Sequence, residues 1–136
     1  MSLLTPRTRS SEFFSDITRN LDVIPGRTDT SRVINENAVK ESIYNLIMTD
    51  RGERLFQPNI GCDIRGSLFE NIDPNSMLIL KENIKTTIKT YEPRCNLRDV
   101  EVFGNIDKNE LGVRIVFSVI NSTNTSALTI DLNRVR

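Results

Sequence analysis

Carboxylates hold most of the reactive potential in this chain. Glu53 with Asp63, and Glu70 with Asp73, are the pairs that could face each other across a cleft about 5 to 9 Å wide, as the acid and base of a glycoside hydrolase do. Such a pair would make the protein a glycoside hydrolase. The plainer alternative is that acidic residues beside turns are surface groups and helix caps. Histidine is absent from all 136 residues, which removes the commonest general base, the usual zinc ligand, and the Ser-His and Cys-His nucleophiles. Only carboxylate, lysine or tyrosine chemistry stays open. Cys62 and Cys95 stand far apart and in no metal-ligand spacing, so free thiols are expected, and neither a metal nor another cofactor.

Glu92, Pro93 and Arg94 form a second constellation, suited to binding rather than catalysis. Proline forces the chain out of a helix, so the two charges should project from a stiff corner where an Arg fork can grip a neighbour's carboxylate or chain-end carbonyls. The competing reading is that they flank a helix stop and pair with nothing, or with each other on the surface, for about 0 to 1 kcal/mol.

The elements that must position these groups follow from periodicity. Residues 1–35 are polar, rich in Ser, Thr and Arg, and broken by Pro6 and Pro25-Gly26, which reads as an N-terminal arm. Within it Phe13, Phe14, Ile17 and Leu21 predict a short amphipathic helix capped by Ser10 or Ser11, too short to stand alone in water. Residues 36–136 form the domain proper. Asn37 is the expected cap of a helix striped by Val39, Ile43, Leu46 and Ile47 and stopped at Asp50-Arg51-Gly52. Glu53 to Gly66 reads as irregular, with one helical turn at Leu68 and Phe69.

Asp73 as cap and Pro74 at the first helical position open the strongest helix, with Met77, Leu80, Ile84, Ile88 and Tyr91 on one face. Pro93 ends it at Tyr91 or Glu92, because the residue before proline is pushed out of the helical region. Beyond Asn96 the alternation becomes strand-like: Leu97 to Phe103, Leu111 to Ile120, and Leu128 to Leu132, parted by turns at 105–109 and 121–126. The fold class is α+β, two main helices on a three-stranded antiparallel meander. A sheet of that kind has an edge at its last strand. Either Arg134 and Arg136 blunt it, or it is kept available for an added strand.

Eighteen basic and 18 acidic residues cancel, so no long-range field draws the chain to nucleic acid or anionic membrane. The opening MSLLTPRTRS lacks a signal-type apolar run, and no stretch is apolar enough to span a bilayer. The expectation is a protein that stays in the cytoplasm where it is made.

Four blocks carry a family resemblance: Asn45-Leu46-Ile47-Met48-Thr49-Asp50-Arg51-Gly52-Glu53-Arg54, Phe56-Gln57-Pro58-Asn59-Ile60-Gly61-Cys62-Asp63, Leu68-Phe69-Glu70-Asn71, and Tyr91-Glu92-Pro93-Arg94. Their order and spacing resemble the baseplate wedge, or sheath-initiator, proteins of T-even-type contractile phages, with relatives in contractile bacteriocins and the type VI secretion baseplate. The likeness covers roughly Asn37 to the C-terminus, with a fainter match at Phe14-Ser15-Asp16-Ile17. Leu55, Asn59 and Ile60 depart from the family pattern, which tends to proline at the first and acidic and aromatic residues at the others.

The resemblance implies a structural, non-enzymatic subunit of the virion tail baseplate, assembled in the host cytoplasm and present in several copies around the tube. Its implied partners are other wedge proteins, the tail sheath protein, and the tube or hub. The family's Glu-Pro-Arg motif, here Glu92, Pro93 and Arg94, is implied to hold the wedge core. The first sheath ring is implied to dock by strand exchange, which falls here on the last strand, with Leu128, Ile130, Leu132 and Val135 setting register. Two other functions compete: a carboxylate-based peptidoglycan hydrolase, the wall-degrading tail lysozyme that tail baseplates often carry, and a cytoplasmic adaptor or regulator built on the same fold.

Overall fold

Val39, Ile43, Leu46 and Ile47 recur at helical spacing, and all four are buried on one face of α1 (Asn35–Met48). The computed structural model describes residues 13–23, 25–26, 30–69, 73–105, 107–108 and 110–133. Two short strands, β1 (Ser15–Ile17) and β2 (Arg32–Ile34), precede α1 and pair antiparallel. A six-residue helix, α2 (Ile64–Phe69), follows it, and then α3 (Pro74–Tyr91). The chain closes with β3 (Cys95–Asn105), β4 (Glu110–Val119) and β5 (Thr125–Asn133), an antiparallel sheet in the order β3-β4-β5.

One face of that sheet packs on the helices. Leu97 and Val100 of β3 stand opposite Phe117 and Ile115 of β4, and Leu128 and Ile130 of β5 stand opposite Ile115 and Val113. These residues join Val39, Ile43 and Ile47 of α1 and Leu80, Ile84 and Ile88 of α3 in one apolar cluster, with Phe117 its largest fully buried member. A register shift between Leu97 and Asp99 puts an extra residue into β3. The opposite face meets water along β5, where Ala127, Thr129 and Asp131 are exposed.

The arm differs from its predicted form. Phe13, Phe14, Ile17 and Leu21 make no helix: Phe14 packs on the core, the other three are exposed, and Leu21 has a φ of 52° that no right-handed helix accepts. The physical reason is that so short a helix cannot hold itself in water, whereas β1 satisfies its backbone on β2. The proposed caps Ser10 and Ser11 lie outside the described residues.

Helix starts differ too. α1 begins two residues before Asn37 with Ile34 in the cap position, and no side chain caps it. Asn35 turns back instead: its Oδ1 accepts the Phe13 and Phe14 amides, and its own amide donates to the Phe14 carbonyl at 2.7 Å. Asp73 and Pro74 stand at the cap and first position of α3 as expected, but the Asp73 side chain caps nothing; its carbonyl accepts the Met77 amide. The helix ends at Tyr91, one residue before the C-cap Glu92, as the proline requires. Gly66 belongs to α2 rather than to the irregular stretch before it.

Between Thr49 and Asp63 the chain makes a closed loop whose ends meet, the Cys62 amide donating to the Thr49 carbonyl at 3.3 Å. Gly61 permits that approach: its φ is 126°, and an added Cβ would stand 2.3 Å from the Thr49 carbonyl oxygen. Replacing Gly61 with Ala therefore combines backbone strain with a clash against main chain, and urea denaturation should show a loss of about 2 kcal/mol. A Gly61→Ala variant as stable as the parent would contradict this closure.

Candidate functional site

Pro93 fixes a turn between α3 and β3, with the Cys95 amide returning to the Glu92 carbonyl at 3.2 Å and proline at the second turn position. The Ile120 amide donates to the Arg94 carbonyl at 3.0 Å, so the end of the β4 strand is stitched to the same corner. The backbone of 92–95 is thus held on both sides before any side chain is considered.

The two charges do not both project outward as the sequence suggests. Glu92 is folded inward with 3 % of its side chain exposed, and Arg94, 30 % exposed, closes over it. The guanidinium fork binds both carboxylate oxygens, Nε to Oε1 at 2.7 Å and Nη2 to Oε2 at 2.8 Å. Ser42 of α1 donates its hydroxyl to the same Oε2. The fork expected to reach a neighbour is spent on the chain's own carboxylate, because the proline turn brings residues two apart onto one side, against α1. This pair is desolvated, unlike the weak surface pair of the alternative reading.

The arm completes the corner. The Phe14 ring lies 5.5 Å beneath the Arg94 guanidinium, and the Asp16 carboxylate adds to the field that stabilises the cation. Farther along, Arg19 forks onto Glu41 at 3.0 and 3.1 Å and stacks 3.6 Å over the Tyr44 ring. Nothing in the sequence tied Ser42 to Glu92, or Phe14 and Asp16 to Arg94, since each reaches its partner only through tertiary folding.

Burial pushes the Glu92 carboxyl up, but the hydrogen bonds from Arg94 and Ser42 and the Arg94 charge outweigh it and hold it below the ordinary carboxylate range. Cys95, beside it, is driven up to about 12, first by burial and then by the Glu92 charge, and so remains a thiol. Cys62 is a buried free thiol.

The carboxylates singled out in the sequence are held by local contacts where the structure describes them. Glu53 turns back to accept the Asp50 amide at 2.9 Å, while Asp63 lies against Gly66 at the start of α2 and its carbonyl accepts the Ser67 amide. Glu70 lies outside the described residues, and Asp73 stands at the cap position of α3. Among the described residues no cluster of three or more metal-binding side chains occurs, and no helix is long and apolar enough to cross a membrane. On β5, Ile130 is buried and Leu128 and Leu132 pack against the core. These side chains therefore face inward, and what the strand offers laterally is backbone. Val135, Arg134 and Arg136 lie outside the described residues.

Removing one partner of a desolvated pair strands the other. Arg94→Ala should cost about 3 kcal/mol at neutral pH, because Glu92 is left buried and uncompensated. A carboxyl held low when folded stabilises above its unfolded value and loses that contribution as pH falls. The gap between wild type and Arg94→Ala in urea midpoint should therefore be full at pH 7 and shrink below the ordinary value of 4.5. A gap constant from pH 7 to pH 3 would show that the charge on Glu92 is irrelevant.

A family model described as baseplate wedge protein gp25 matches residues 35–124, from the start of α1 to beyond β4, and so includes the corner and the 49–63 loop. The baseplate wedge protein gp25 of Enterobacteria phage T4 is 34 % identical over 112 residues, 82 % of this chain and 84 % of that one. A solved structure of a putative tail lysozyme from Geobacter sulfurreducens has a TM-score of 0.65 at 24 % identity, covering 74 % of this chain and 92 % of that one. A chain of the anti-feeding prophage baseplate has a TM-score of 0.62 at 22 % identity, covering 87 % and 83 %. At those identities the two structures speak for the fold alone. Carried by the family match and the phage relative together, this chain belongs to the gp25 family of baseplate wedge proteins of contractile tails.

Proposed function

We propose that the chain is a structural wedge subunit which binds inner wedge proteins at the Glu92-Pro93-Arg94 corner and starts sheath polymerisation by accepting a strand at β5. The observation that carries the reading is the position of β5. It ends the order β3-β4-β5 with β4 as its strand neighbour, and its Leu128, Ile130 and Leu132 side chains are already seated in the core. An incoming strand would find lateral donors and acceptors on a support that does not have to rearrange. Sheath protein is the assigned occupant of that edge.

At the corner, the buried pair fixes Pro93 and the Arg94 backbone so that a wedge partner meets a preformed surface, which lowers the ordering cost of binding. The partly exposed edge of the guanidinium, already neutralised by Glu92, then serves for stacking or a further hydrogen bond rather than for a bare charge pair. A structural role also suits Glu53, whose carboxylate is engaged by the Asp50 amide within its own loop.

Strand addition is tested by proline. Successive residues of a strand aim their amides to opposite sides, so of Leu128→Pro and Thr129→Pro one removes a bond to β4 and the other only a lateral donor. The variant that keeps the parental melting curve identifies the outward amide. That variant should assemble into baseplates normally yet leave them without sheath by electron microscopy. Full-length sheaths on such baseplates would overturn the strand-addition reading.

A further inference from the structure

Leu55 and Phe56 stand at the tip of the 49–63 loop with 91 % and 98 % of their surface exposed. A slack tip would give such values without meaning, but this loop is braced from inside. The Gly52 amide donates to the Pro58 carbonyl at 2.9 Å, Gln57 to Arg54 at 3.2 Å, and Ile60 to Gln57 at 3.2 Å. The Glu53 carboxylate closes the first turn on the Asp50 amide, and the buried Ile60 and Cys62 root the loop in the core. A stiff backbone thus holds an aromatic and an aliphatic side chain out in water, the arrangement that loses least freedom on docking.

The charges around the tip say what it would meet. Asp50 is paired with Arg65 at 3.7 Å and Glu53 is turned back on the loop, whereas Arg54 has no carboxylate within salt-bridge distance among the described residues. Arg54, Gln57 and Ile60 form one wall of a groove of about 490 Å³ whose other wall includes Asp16, Ser42 and Tyr91. Ser42 is the hydroxyl that holds Glu92, and Tyr91 precedes Glu92 in the chain, so the groove runs from the loop to the residues that border the Glu-Pro-Arg corner. One partner can reach both.

We infer that Leu55 and Phe56 are an apolar anchor for the wedge subunit assigned to that corner, entering a pocket on it that carries a carboxylate at the rim opposite Arg54. This rests on the wedge-binding reading and adds the residues that hold the partner. Aromatic side chains and arginine are the types that dominate interface energy, and nearly full exposure in the free chain makes the gain on burial large.

The test titrates the full-length chain into wedge complex purified without it, comparing wild type, Phe56→Ser, Arg54→Glu and Arg94→Lys at a temperature where each is folded. Phe56→Ser should melt as wild type does and bind about 30-fold more weakly, with Arg54→Glu also weakened. Wild-type affinity for Phe56→Ser beside weakened Arg94→Lys overturns the anchor and leaves the corner standing. Loss in Phe56→Ser alone supports the anchor and removes the corner, and no binding by wild type removes both. Sedimentation showing dimers of the free chain that Phe56→Ser abolishes would make a second copy the occupant and overturn the inference.

Discussion

A carboxylate withdrawn from water must be matched or it destabilises whatever buries it, and in this protein the match is made two residues away by Arg94. Everything that meets at the corner is arranged around that pair. The end of α3 delivers Glu92, the proline turn brings Arg94 beside it, α1 supplies the Ser42 hydroxyl, and the arm lays the Phe14 ring against the guanidinium. The pair therefore joins three stretches of chain that are distant in sequence: the arm, α1 and the turn after α3. A hydrophobic contact could join them as strongly, but it would not fix their directions as a two-pronged hydrogen bond does.

The sheet divides its labour between side chains and backbone. Leu97, Val100, Ile115, Phe117 and Ile130 all fall on the face that covers the helices, so the register of the meander is set by the core. With those side chains committed, the terminal strands keep their lateral main-chain groups and the side chains of the opposite face for other contacts. Under the proposed strand addition that separation is useful, because stability and docking would draw on different atoms of the same strand.

A similar separation holds in the 49–63 loop. Gly61 and the buried Ile60 and Cys62 bind it to the body of the protein, while Leu55 and Phe56 contribute nothing to the fold's own core. Monomeric proteins scatter single apolar residues over their surface, but two adjacent ones on a stiff turn, beside an arginine with no carboxylate in salt-bridge range among the described residues, form a more specific feature.

Periodicity alone determined the two main helices, the three strands and their order as a meander, since apolar side chains recurring every three to four residues or every second residue have few ways to share one core. It also placed the end of α3, because proline acts on its immediate neighbour. The arm was misread for the same local reason: Phe13, Phe14, Ile17 and Leu21 have helical spacing, yet the alternative partner, Arg32–Ile34, lies beyond a turn that spacing cannot see. The blocks around Glu92-Pro93-Arg94 were legible as a family signature, but not the direction in which the charges point. That was decided by Ser42 and Phe14, brought to Glu92 and Arg94 across 50 and 80 residues of chain. Burial and pairing are properties of the assembled surface, and only the tertiary structure can say which charge is enclosed and which apolar side chain is left in water.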